Sequence, residues 1–222
     1  DIKGYYNNLT EKVLRFGKHG NEIPQTTIDN GETIYFSIAI FQYGLGAYDL
    51  YLANNDSCML GKAIACANWA VDNQQINGGW ITFAYENREH PYSSMAQGEG
   101  ISLLLRVYIA TENRKYFDAA IKAKDFMLKS IEDGGTTKYT GNDIYLYECY
   151  GPLILNGWIF SIWGLMDYCK IVHDDQVEDV LNKTLVTLKQ HLPDFDMRFW
   201  SKYDDAKHIS SPFYHKLHIA QL

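Results

Sequence analysis

The chain alternates two kinds of helical pattern. Three phrases, "YGLGAY" (Tyr43–Tyr48), "SLLLRVY" (Ser102–Tyr108) and "WGLMDY" (Trp163–Tyr168), lie in stretches that are apolar nearly all round. Aligned on their shared form, they place Gly44, Leu104 and Gly164 at equal intervals. Between them fall 57–73, 114–131 and 176–192, helical stretches with Lys, Asp and Glu on one face. An all-round apolar helix predicts burial on both sides, and an amphipathic one predicts an outer layer. One inner plus one outer helix is a unit that must stack on copies of itself to bury its core. The expected fold is therefore all-α, an (α/α) barrel or toroid of helical-hairpin repeats around a funnel, with an open solenoid as the alternative. Small residues at Gly44, Gly46, Gly98, Gly100, Gly157 and Gly164 would let inner helices approach closely.

Two stretches break this rhythm. Residues 136–152 ("TTKYTGNDIYLYECYGP") alternate with period two around Gly141-Asn142-Asp143, which predicts a β-hairpin. Residues 197–213 ("MRFWSKYDDAKHISSPF") read as extended and then turn-rich. Both precede an inner-type segment, so small β-hairpins are expected at one mouth of the funnel, where binding residues concentrate. A fourth inner helix opens near Tyr214, and its repeat phrase would fall beyond Leu222, so this helix is expected to be cut short. The whole reads as one domain, 1–222, with 1–30 as a peripheral N-terminal segment. Ring closure within one chain and closure by a second copy in a homodimer are both open.

Composition narrows the partners. At 46% hydrophobic and 21% charged the chain is globular rather than disordered. Its 17 Tyr suit a sugar cleft, each ring offering a flat apolar face with a hydroxyl at the edge, and suit half-buried packing equally. A net charge of −7 argues against non-specific nucleic-acid binding, which needs a basic surface. No apolar run is long enough for a membrane segment. Cys58, Cys66, Cys149 and Cys169 lack metal spacing and read as reduced thiols. His215 and His218 share a helical face without a third ligand, so they read as scaffold, and no metal or cofactor is expected. The compartment is not specified.

Four motifs then occur in a telling order: "FQYGL" (Phe41–Leu45), "YSSMAQGEGISLLLRVY" (Tyr92–Tyr108), "YECYGPLILNGWIFSIWGLMDY" (Tyr147–Tyr168) and "FYHKLHIAQL" (Phe213–Leu222). Together they resemble the C-terminal catalytic domain of D-glucuronyl C5-epimerases, over about residues 40–222. The resemblance implies an (α/α) barrel with a cleft at one end and action on uronic acid residues in an anionic polysaccharide of the heparan sulfate or heparosan type. It also implies three functional tyrosines, which fall on Tyr150, Tyr203 and Tyr214, although a one-residue shift would put Asp204 in the second place. A family glutamate before the first falls on Cys149, while Glu148 matches a second family acid. Lys207 stands where the family has arginine.

Inverting C5 of a uronate requires one proton carrier on each face of the ring and neutralisation of the carboxylate. Glu148 or Tyr150 is expected on one face and Tyr214 on the other. Lys207 and His208 are the expected carboxylate-binding pair, with Tyr203 hydrogen-bonding nearby; Tyr92, Gln97, Asn156 and Trp80 are further candidates for sugar contact. Three other readings remain. A lyase would remove the same C5 proton and expel the 4-O substituent. A hydrolase would need a carboxylate pair, Glu148 with Glu99 or Asp204 with Asp205. A sugar-binding module would use the cleft without chemistry.

Overall fold

The computed structural model describes residues 2–16, 23–86 and 88–222. Among them are eight α-helices: α1 (Thr10–Phe16), α2 (Ser37–Asn54), α3 (Ser57–Asn73), α4 (Ser94–Thr111), α5 (Arg114–Leu128), α6 (Leu155–Ile171), α7 (Asp175–Phe195) and α8 (Pro212–Gln221). The described residues are mostly helical, with two small antiparallel sheets. The first pairs β1 (Thr26–Thr27) with β2 (Thr33–Ile34), which the sequence pattern did not announce. The second pairs β3 (Thr137–Thr140) with β4 (Asp143–Leu146) around Gly141, whose φ of +62° suits a tight turn. Residues 197–213, expected as a second hairpin, carry only isolated bridges such as Lys202 with Ile209.

The two helical patterns become two layers. Helices α2, α4, α6 and α8 pack side by side in that order, and α3, α5 and α7 cover α2, α4 and α6 from outside. Every residue of α4 from Ser94 to Val107 is buried, whereas α5 and α7 bury one stripe each. Glycines set the spacing of the inner row. A Cβ on Gly164 would lie 2.3 Å from Gly98 Cα, so only glycine at both points allows α4 and α6 to touch backbone to backbone.

Polar caps define where the helices begin. Asp56, Ser93, Asn113, Asp174 and Ser211 each accept a hydrogen bond from a backbone N–H in the first turn of the helix they precede. Ile154 offers no such side chain before α6; instead Leu155 N–H donates to the carbonyl of Tyr203 at 3.1 Å. That bond ties the 197–213 loop to the start of an inner helix. The opening segment, expected at the periphery, buries Ile2, Leu9 and Val13 in the core, and α1 packs on α2. The four cysteines are free. Among the described residues no helix is long and apolar enough to cross a membrane.

Candidate active site

A cleft of about 710 Å³ opens where the inner helices begin. Phe36 and Ile38 reach it from the start of α2, Met95 from α4, Asn156 from α6, and Phe213 and Tyr214 from α8. Four helix N-termini thus face one space, and the partial positive charge of each favours an anion there.

Glu148 enters the cleft from the loop after β4. Its place exists because position 157 is glycine: a Cβ there would lie 2.1 Å from Glu148 Oε2 and 2.5 Å from its Cβ. Asn156 Nδ2 donates to Glu148 Oε2 at 3.4 Å. Burial raises the Glu148 carboxyl to about 7, against the opposing pull of the Arg88 charge. A carboxyl so placed exists in both protonation states at neutral pH.

Tyr214 faces the same space from the first turn of α8. Ser211 caps that turn, accepting from Tyr214 N–H at 3.4 Å, and Pro212 stands at its first position. Burial raises the Tyr214 pKa, and the Glu148 charge adds to the rise, so the two groups are within electrostatic range. The Tyr203 ring lies 4.7 Å from that of Tyr214 at 57°. The two hydroxyls hydrogen-bond, which eases proton loss from Tyr214 and holds the Tyr203 proton more tightly. Burial and the Glu148 charge act on Tyr203 in the same upward direction.

Several expected contacts lie elsewhere. Lys207 is exposed, in the left-handed region at φ +74°, and His208 points its Nδ1 at Asp204 Oδ2, 2.7 Å away. Both belong to the turn that Asp204 organises, and neither lines the cleft. Tyr150 stacks on His90 at 4.4 Å, half exposed, in a surface depression of its own. Trp80 is a core residue, its Nε1 donating to the Ala70 carbonyl at 2.8 Å. Tyr92 packs edge-on against Phe126 of α5, away from the cleft. Gln97 is fully buried, and neither of its amide atoms has a partner among the described residues. Asn156 does line the cleft, and its Oδ1 is likewise unpartnered. The acid pair Asp204 and Asp205 is occupied by the turn, Asp205 accepting from Leu153 N–H at 2.9 Å. His215 and His218 both hydrogen-bond Ser201 Oγ, at 3.0 and 2.8 Å, and so anchor the loop before α8.

The match to known sequences follows the same geography. The family described as D-glucuronyl C5-epimerase C-terminus matches residues 75–222, the stretch that supplies Glu148, Asn156, Tyr203 and Tyr214. The chain belongs to this family. A D-glucuronyl C5-epimerase of Caenorhabditis elegans is 30% identical over 187 residues, covering 70% of this chain and 30% of that protein. An uncharacterized protein of Methanocaldococcus jannaschii is 26% identical over 167 residues, covering 68% of this chain and 53% of that protein. The chain thus spans between about a third and a half of the length of these relatives. Residues before the matched stretch line the cleft as well. Gln42 of α2 lines the cleft and donates from Nε2 to Glu99 Oε1 at 2.8 Å. Glu99 is fully buried, its Oε2 without a partner among the described residues; burial raises its pKa well above the usual carboxylate value, while Gln42 and Lys12 oppose the rise. Lys12 and Arg15 of α1 also line the cleft. The 60-residue rhythm gave no signal for α1, because a seven-residue helix contains too few turns to show a period.

Proposed function

We propose that the chain is a polysaccharide uronate C5-epimerase of the D-glucuronyl to L-iduronyl type. The row of inner helices is, in this reading, the wall of an (α/α) toroid, and the cleft is its funnel. The observation that carries the reading is the pairing of Glu148 with Tyr214 across one cleft, in a chain of this family. Their two proton affinities suit two roles. Ionised Glu148 takes the C5 proton, and the electron pair passes into the uronate carboxyl as an enediolate. Tyr214 then gives its hydroxyl proton to the other face of C5, leaving a phenolate that accepts the Tyr203 hydrogen bond. Glu148 is left protonated and Tyr214 ionised, the state from which the reverse reaction starts; exchange with solvent resets both. Each such transfer is worth roughly 10²–10⁴ in rate.

The test is incubation of a heparosan oligosaccharide with the protein in D2O. Deuterium should appear at C5 with the chain intact. Tyr214→Phe should lower the exchange by roughly 10²–10⁴ while leaving oligosaccharide binding in place. Unsaturated, UV-absorbing ends would reveal a lyase instead, and binding without exchange would leave only a sugar-binding module.

A further inference from the structure

The cleft needs a cation, and the expected pair, Lys207 and His208, does not line it. We infer that Lys12 of α1, with Arg15 at the rim, binds the carboxylate of an acidic sugar in the cleft, an inference that rests on the uronate reading above. Three observations carry it.

The first is position. Lys12 and Arg15 are one turn apart on α1, on the side that lines the cleft with Glu148, Asn156 and Tyr214. Helix α1 is fixed rather than loosely attached, since Leu9 and Val13 are buried and Gly46 of α2 lies against the Leu9 carbonyl, 2.4 Å from where a Cβ would stand. The second is lack of a partner. Lys12 is partly buried, and among the described residues its ammonium makes no hydrogen bond or ion pair, though the Glu99 charge acts on it from further off. A cation that has given up part of its hydration gains most from an anion brought within reach. Glu99, the carboxyl whose charge acts on Lys12, is hydrogen-bonded by Gln42 Nε2 and makes no ion pair with the ammonium, while burial and the Arg15 charge press the Lys12 pKa down, a cost that an anion in the cleft would relieve. The third is the rest of the wall: four helix N-termini bring partial positive charge to the same space. A sugar carboxylate is the ligand chemistry that answers all three. Lys holds it as a point charge, which leaves the carboxylate plane to be set by Asn156 and the helix N–H groups.

Binding of a heparosan hexasaccharide and of its carboxyl-reduced form, measured by titration calorimetry, tests the inference without needing turnover. The wild-type chain should bind the acidic form at least about tenfold more tightly, by an amount that shrinks with salt. Lys12→Met should lose about tenfold in affinity for the acidic form and little for the reduced one, Lys12→Arg should recover most of the loss, and Lys207→Met should behave as wild type. Equal binding of both sugars by the wild type overturns the inference, and this comparison holds even if Lys12→Met does not fold. So does a Lys12→Met variant that binds the acidic sugar normally, or one that loses both sugars alike. Absence of C5 exchange in the wild type sinks the epimerase reading alone; normal exchange with an unchanged KM in Lys12→Met sinks this inference alone.

Discussion

Helices α4 and α6 hold buried charge at both ends, and the two ends are built on opposite rules. Away from the cleft, Arg106 of α4 and Asp167 of α6 form an ion pair, both side chains out of water. Each nitrogen of the guanidinium has an acceptor: Arg106 donates to the carbonyls of Lys3, Gly4 and Ser102 as well as to Asp167, and Asp167 also accepts from the Tyr6 hydroxyl at 2.9 Å. At the cleft end, Glu99 of α4 keeps one oxygen without a partner among the described residues, and the Glu148 carboxyl, packed against Gly157 of α6, has the long hydrogen bond from Asn156. A satisfied pair stabilises one arrangement and responds to little. Acids left short of partners are held near a change of protonation state, which is what proton transfer requires. Satisfaction of buried charge thus separates scaffold from site on the same two helices.

The largest expected effect comes from damaging the satisfied end. Arg106→Met would leave Asp167 buried and unpaired, a loss of about 3–5 kcal/mol. In a domain of this size that corresponds to a melting temperature lower by roughly 6–20 °C. Replacing both partners, Arg106→Met with Asp167→Leu, should recover much of the loss. C5 exchange per folded molecule should stay near wild type in both. A melting curve unchanged by Arg106→Met would remove the distinction drawn between the two ends.

The layers were legible in the sequence because they depend on local periodicity. Outer segments expected at 57–73 and 176–192 appear as Ser57–Asn73 and Asp175–Phe195, and the turn at Gly141 lies where the period-two stretch put it. Glu148 and Tyr214 were legible through motifs, which record residue identity in order. What the motifs did not carry is orientation. Lys207 sits in a motif beside Tyr203, yet its positive φ and the Asp204 turn direct it to solvent. The Trp80 indole has the chemistry of a sugar contact, but its burial against Phe41 and Gly100 is a matter of tertiary packing. The cations of α1 come from a segment with no repeat and no motif. Only the path of the chain brings them to the cleft.

A second effect sharpens the comparison through pH. Glu148 has a folded pKa of about 7 against 4.5 in the unfolded chain. Between these values the folded state binds more protons, so stability falls as pH rises. The contribution is fully present below about 4.5 and lost by the time pH passes 7, a change of up to about 3 kcal/mol before residual exposure is discounted. Glu148→Gln should therefore stabilise the protein at pH 8 relative to wild type and do little at pH 4, while abolishing exchange at both. Wild-type kcat/KM should rise through about pH 7 as the base ionises. Denaturant titrations at pH 4 and pH 8 check the first claim, and a pH–rate profile checks the second.

The smallest effect isolates position from chemistry. Gly157→Ala leaves every titratable group in place but sets a methyl 2.1 Å from Glu148 Oε2 and 2.5 Å from its Cβ. Because the clash reaches the Cβ, rotating the carboxylate away is not enough, and the loop after β4 has to shift. Overpacking of this kind costs about 1–3 kcal/mol in stability. Displacing a catalytic group by an ångström costs more in rate, on the order of 10²-fold. Gly61→Ala on α3 is the control, since a Cβ there meets nothing within 4 Å, and it should be neutral or slightly stabilising. A Gly157→Ala protein that is destabilised no more than such overpacking implies yet has lost most of its exchange locates catalysis in the placement of Glu148. One that keeps full exchange would mean that the carboxylate in this position is not the base, and that the contrast between the two ends of α4 and α6 concerns folding alone.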